Sequence, residues 1–220
     1  MAWPIVRVDD VCDVVIGATP ARNRAEYWGG GNVWVTVAEL NDDVITASRE
    51  HITDAGVAHS ASKLIPAGTL LFSFKLSIGK MAFAGVDLYT NEAIAALPIR
   101  HQNLIDRRYL FYALRSIGAI PGANVAAKGK ILNRSAVESL PIPLPPLSEQ
   151  RRIVEILDQA DHLRRLRAEA NAKADRILPA LYHTLFLDRV SDWPTEPLGT
   201  RLRRAKGALQ SGPFGSHLHN

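Results

Sequence analysis

One cysteine, Cys12, stands in 220 residues. A lone thiol excludes a disulfide framework and any multi-cysteine zinc site, and it suits a reducing compartment. No run of about 18 apolar residues is present to cross a bilayer, and the opening "MAWPIVRVDD" lacks a basic region followed by an apolar one. A cytoplasmic location without membrane association is the expectation. Catalytic signatures are also missing: no Asn-Pro-Pro-aromatic motif of amino-methyltransferases, no Walker A loop, and no nuclease carboxylate cluster beside a lysine. No enzyme activity, no cofactor and no metal site is expected. His217 and His219, in the terminal "SHLHN", are read as solvent-exposed rather than metal-ligating.

Strong charge of one sign is absent too, with 26 Lys+Arg against 22 Asp+Glu and a net charge of +4. The distribution is more informative than the total. Residues 1–144 carry 14 basic and 13 acidic residues, 145–189 carry 8 and 7, and 190–220 carry 4 and 2. Between Ala55 and Val86 no acid occurs beside Lys63, Lys75 and Lys80, and between Arg107 and Val137 six basic residues occur without a carboxylate. Such windows suit a phosphate-facing surface or, more plainly, an ordinary solvated face.

What is abundant is concentrated at one junction. "PIPLPPLSEQRR" (141–152) places Pro141, Pro143, Pro145 and Pro146 ahead of a long helical pattern. Proline fixes φ and pushes its predecessor to extended backbone, so a stiff connector is expected here. Upstream, the pattern is α+β, a globular domain of mixed short elements. "NVWVTV", "GTLLFSF", "MAFAGV" and "EAIAALPI" read as strands, and 104–117 reads as a helix capped by Asn103. "IGATPARNR" and "WGGGN" read as loops. Downstream, Ile153, Ile156, Ala160, Leu163, Leu166, Ala170, Ala174, Ile177, Leu181 and Leu185 recur at steps of three or four. This predicts a long coiled-coil helix capped by Ser148, with an apolar seam for a partner helix. Pro179 predicts a kink or break near 174–178.

These residues carry a resemblance. "SLPIPLPPLSEQRRIVEILDQAD" with "LPALYHTLF", and the earlier "GTLLFSFKLSIGKMAFAGVDLYTNEAIAAL" and "KGKILNRSAVESLPIPLPP", closely resemble the DNA sequence-specificity subunit of type I restriction-modification systems. The resemblance implies a target recognition domain over 1–144 that reads one half of a split DNA target. It implies a conserved helix over 145–189 that acts as spacer and docks the methyltransferase subunit, and through it the restriction subunit. The 190–220 stretch resembles the start of a second, truncated recognition domain through "PLG" and "SGPFGS". One recognition domain and one helical region suggest the expectation of a homodimer paired through the helices, reading a palindromic interrupted target. The alternatives are a coiled-coil interaction protein, or a truncated remnant that binds partner subunits without reading DNA sequence.

Contact with double-stranded DNA requires long polar side chains for base edges and cations for phosphates. The candidates are Arg22, Asn23 and Arg24 after "GATPA", then Lys75, Ser77 and Lys80 around "KLSIG", then Lys128, Lys130, Asn133 and Arg134 after "PGANVAA". Asn91 in "TNEA" is read instead as a turn-fixing residue, and Trp3, Trp28, Trp34 and Trp193 as packing residues.

Overall fold

The computed structural model describes residues 3–75, 77–117 and 132–188, together with 196, 197 and 200. The expectations for Lys128 and Lys130, for Trp193, His217 and His219, and for nearly all of the 190–220 stretch lie outside the described residues. The chain divides into two compact units, residues 1–161 and 162–220.

The first unit opens with β1 (Ile5–Arg7), α1 (Val8–Val11) and β2 (Val15–Ile16). It continues through β3 (Trp28–Val35), β4 (Val44–Ile45), β5 (Glu50–Ile52) and α2 (Asp54–Ala58). Four strands follow: β6 (Leu70–Ser73), β7 (Met81–Ala84), β8 (Tyr89–Thr90) and β9 (Ile94–Leu97). Then come α3 (Arg107–Ser116), α4 (Arg134–Glu138), β10 (Pro141–Pro143) and the start of α5 (Leu147–Ala174). The fold is α+β, short strands and helices followed by a long helix.

A five-stranded sheet in the order β2-β9-β6-β7-β4 forms the centre, beside a three-stranded sheet in the order β5-β3-β8. Its strands are apolar on both faces, which is why they read in the sequence as unbroken hydrophobic runs. Leu70, Phe72, Met81, Phe83, Ala95 and Leu97 pack with α1, α3, Val137 and Ile142. The alternate residues Leu71, Ala82, Ala84, Ile94 and Ala96 pack on the other side with Val35, Val37, Leu40, Ile65 and Leu88. Each large side chain so buried contributes about 1.5–3 kcal/mol.

Several local expectations are corrected. Of the four prolines, only Pro145 and Pro146 stand between the last strand and α5: Pro141–Pro143 pairs antiparallel with Ile5–Arg7 instead of forming part of the connector, placing Ile142 opposite Val6. The ladder's flanking bonds run from Val8 N to Leu140 O (3.0 Å) and from Leu144 N to Pro4 O (2.8 Å). The hydrogen-bonding positions are therefore the even-numbered residues, and both prolines fall where no N–H is required. "WGGGN" is part of β3 rather than a loop, with Trp28 and Asn32 both opposite Ile52, so the three glycines form a bulge. A Cβ on Gly30 would strike the backbone of Ile52 and Thr53, and Gly29 has φ +81°.

The cap of α3 is Asp106, not Asn103, its carboxylate accepting from Arg108 N (2.8 Å) and Tyr109 N (3.1 Å). Ile105 and Leu110 flank that cap in one buried cluster, as in a hydrophobic staple, whereas Leu104 is left outside the helix and exposed. Ser148 does not cap α5 either. The helix begins at Leu147, and Pro146 O accepts its first bonds from Glu149 N and Gln150 N.

The second unit contains the rest of α5 and α6 (Ile177–Leu185). The expected break is present at Asp175–Arg176. Pro179 cannot coexist with a helical carbonyl at residue 175, yet it is tolerated in the first turn of α6, where no intrahelical N–H partner exists. Along the predicted seam Ile156, Ala160, Leu163, Leu166, Ala170, Ile177, Leu181 and Leu185 are exposed, Leu163 by 64% and Leu181 by 50%. Ile153 departs from the expectation, being half-buried against the first unit's core. Among the described residues no helix is long and apolar enough to cross a membrane.

Candidate nucleic-acid interface

The loop from Gly17 to Arg24 is held from beneath by two indoles. Trp34 Nε1 donates to Ala18 O (3.0 Å) and Trp28 Nε1 to Ala21 O (3.2 Å), the two rings meeting edge to face at 5.0 Å. Gly17 abuts the backbone of Thr90 and Asn91 so closely that no Cβ fits, and Ala18 N bonds to Thr90 O (2.8 Å). Backbone contacts of this kind make the loop a fixed feature of the sheet edge. The packing role expected for Trp28 and Trp34 is thus observed, while Trp3 is exposed by 44%.

Arg22 is less available than the sequence suggested. Its guanidinium lies 3.9 Å from the Trp28 ring centre and 4.9 Å from that of Trp34, and it is paired with both carboxylate oxygens of Glu50. Asn23 is exposed, and Arg24 makes an exposed pair with Glu26 at 3.5 Å.

The connection from β6 to β7 is the second candidate loop. Ser73 Oγ donates to Lys75 O (2.9 Å), Gly79 N to Ser73 O (2.9 Å), and Gly79 takes φ +87°, where L side chains are strained. Lys75, Ser77 and Lys80 occupy this turn. Neither lysine has an ion pair among the described residues, although Lys75 Nζ lies 5.3 Å from the Phe74 ring centre. Glu92 joins the first two loops: the Thr19 hydroxyl bonded to it, its own backbone N–H, and the charges of Lys75 and Arg22 hold its carboxyl below the usual range against the opposing effect of burial. Asn91 fixes the adjacent turn, its Oδ1 accepting from Ala93 N (3.2 Å).

The third candidate stretch meets the second through its backbone, Leu132 N donating to Phe74 O (3.1 Å). Its two described candidates are occupied structurally. Asn133 caps α4, accepting from Ala136 N (2.8 Å), and Arg134 pairs with Glu138 (2.7 Å) one turn later. The window from Arg107 to Val137 is likewise not acid-free in space: Arg115 meets Asp42 at 3.1 Å and Arg108 pairs with Asp158. No group of three or more His, Cys, Asp or Glu side chains suited to a metal occurs among the described residues.

Sequence reasoning missed the attachment of α5 to the rest of the unit. Gln150 is completely buried, and its Oε1 accepts from Asp106 N (2.8 Å) while Nε2 donates to Leu104 O (2.9 Å) and Pro145 O (2.8 Å). Two turns on, Asp158 accepts from Arg108 and from the Tyr112 hydroxyl (2.6 Å). Burial would raise the Asp158 carboxyl, but these two hydrogen bonds and the Arg108 charge outweigh it and hold it below the usual range. Burial and the bond to Asp158 push the Tyr112 hydroxyl up to about 12. Gln150, Ile153, Val154 and Asp158 share one helical face, spaced 3, 1 and 4 apart, distinct from the exposed seam.

The family profile described as "Type I restriction modification DNA specificity domain" matches residues 2–175. The Escherichia coli type I restriction enzyme EcoR124I/EcoR124II specificity subunit is 32% identical over 155 residues, covering 67% of this chain and 38% of that protein. The MjaIX specificity subunit of Methanocaldococcus jannaschii is 28% identical over 195 residues, 84% of this chain and 44% of that protein. The crystal structure of the HsdS subunit from Thermoanaerobacter tengcongensis superposes with a TM-score of 0.64 at 26% identity, covering 86% of this chain and 44% of the other. The chain thus spans less than half the length of these relatives. A match that runs continuously from β1 to the end of α5 places this chain in the type I restriction-modification DNA specificity family.

Proposed function

We propose that this chain is a noncatalytic recognition subunit that reads one half of a bipartite duplex DNA target with residues 1–144. Residues 145–189 serve as helical spacer and dock the methyltransferase subunit, and through it the restriction subunit; residues 190–220 begin a second recognition module. The observation that carries this reading is the continuous family match across both head and helix. Two features of the molecule support it. The loop at Gly17–Arg24, held by the indoles of Trp28 and Trp34, and the turn residues Lys75, Ser77 and Lys80 carry polar side chains suited to a groove, and the exposed apolar residues of α5 and of α6 suit a helical partner, including a second copy of this chain. A cytoplasmic location is part of this reading, in keeping with a sequence that has a single cysteine.

The test is DNA binding and methylation by the full chain co-produced with its methyltransferase subunit. Affinity that depends on sequence and falls steeply with salt, together with an interrupted methylated motif in single-molecule sequencing, is the expected outcome. A stable complex indifferent to DNA sequence would favour an interaction protein or remnant instead. Light scattering of the chain alone at micromolar concentration checks the homodimer.

A further inference from the structure

We infer that Gln150 and Asp158 are positioning residues that set the separation at which two half-sites are read, without contacting DNA themselves. This rests on the reading just proposed. An apolar contact between a helix and a globular domain is non-directional, and by itself tolerates sliding and rotation. Three hydrogen bonds to fixed backbone groups do not. Gln150 reaches Asp106 N, the backbone of the α3 cap, together with Leu104 O in the approach to that cap and Pro145 O beside the β1-β10 ribbon. Both anchors belong to the packed body: the α3 cap through Ile105 and Leu110, the ribbon through Ile142.

A second point is needed to fix direction as well as position, and Asp158 supplies it. Its carboxylate meets Arg108 and Tyr112, one turn apart on α3, eight residues along α5 from Gln150. At about 1.5 Å rise per residue the two attachments are roughly 12 Å apart, a lever long enough to define an axis. A polar latch is also specific in register. A one-residue slip of α5 would leave a buried amide and three backbone groups unpaired, whereas Ile153 and Val154 could exchange apolar neighbours. α5 is one helix from Leu147 to Ala174, and the latch fixes its first three turns.

The experiment uses the full chain with its methyltransferase subunit on plasmids carrying the wild-type motif with its spacer shortened or lengthened by one or two base pairs. Gln150→Leu and, separately, Asp158→Ala with Tyr112→Phe are compared with wild type and with Tyr109→Phe. The last removes the bond from Tyr109 Oη to Pro143 O (2.8 Å) and leaves the hydrogen bonds of Gln150 and Asp158 in place. The latch variants should keep the same half-site bases while the preference for the native spacing falls about tenfold, the change equivalent to about 1.4 kcal/mol. Tyr109→Phe should keep the native spacing. Because Asp158 is only partly buried and Tyr112→Phe keeps the buried ring, that variant keeps the test open if Gln150→Leu fails to fold. Native spacing preference in a folded latch variant, altered half-site bases, or equal broadening by Tyr109→Phe overturns the inference. Absence of any interrupted motif with wild type overturns it together with the function it rests on.

Discussion

Replacing Gln150 by glutamate tests how dry the attachment of α5 is, because the side chain keeps its size and loses only its donor. The carboxylate can still accept from Asp106 N, but Leu104 O and Pro145 O each lose the N–H they now receive. Each lost bond costs about 0.5–1.5 kcal/mol net, and leaving buried carbonyls facing a carboxylate oxygen adds about 1–3 kcal/mol. The expected destabilisation at pH 7 is about 2–6 kcal/mol, or on the order of 10 °C in Tm for a unit of this size. Its pH dependence is the sharper signature. Burial raises the folded pKa of the new carboxyl above its unfolded value of about 4.3, so the deficit relative to wild type is smallest below that value and grows as pH rises through the folded pKa. Urea unfolding of both proteins between pH 5 and pH 8 measures it. A deficit below about 1 kcal/mol, or one that does not change with pH, would show that water reaches Gln150 and would refute the latch as a buried device.

Four further outcomes are expected. Asp9 is held below the usual range by its hydrogen bond from Arg7, Glu92 chiefly by that from Thr19, and Asp158 by Arg108 and Tyr112 against burial, so their stabilisation is present above about pH 4 and lost as pH falls through the depressed folded values. Glu92→Gln and Asp158→Asn should each flatten that acid limb in circular dichroism, and an unchanged limb in both would count against it. Lys75→Ala and Lys80→Ala should weaken binding to all DNA sequences alike and lower the salt slope by about one each; a changed sequence preference would reassign them to base reading. Gly17→Ala, whose Cβ has no room beside Thr90, should cost about 1–3 kcal/mol in urea unfolding, and wild-type stability would contradict the close approach. Cys12 should resist thiol reagents in the native protein and react on unfolding, burial having pushed its thiol up to about 12.

What the sequence made legible follows from physical signals of short range. β6, β7 and β9 are apolar on both faces, so no register was needed to see them, and the break before α6 follows from the stereochemistry of Pro179 alone. What stayed hidden depends on partners distant in the chain. Glycines carry no side chains to show a period, so the bulge opposite Ile52 read as a loop. The prolines of β10 suit a strand only because the partner Ile5–Arg7 fixes the alternation of its hydrogen bonds. Asp106 was discoverable, since Ile105 and Leu110 make the staple pattern on either side of the cap. Gln150 was not, because a search for apolar stripes passes over a polar residue on the buried face.

The candidate DNA-contacting residues separate into two groups once their partners are known. Arg22, Asn133 and Arg134 are bound to Glu50, to the α4 N-terminus and to Glu138, so replacing them disturbs the scaffold before it alters any surface. Asn23, Lys75, Ser77 and Lys80 sit on loops whose shape is set by backbone bonds and by Trp28, Trp34 and Gly79, and Arg24 is committed only to an exposed pair with Glu26 of small energetic weight. A surface that must change its DNA preference without unfolding has to place its variable chemistry on positions of the second kind. On the proposed function, exchanges at Asn23, Arg24 and Ser77 are therefore the ones expected to alter target choice at little cost to stability, and those at Lys75 and Lys80 to alter overall affinity, while Gly17, Trp28 and Trp34 have to be kept for the loops to hold their form.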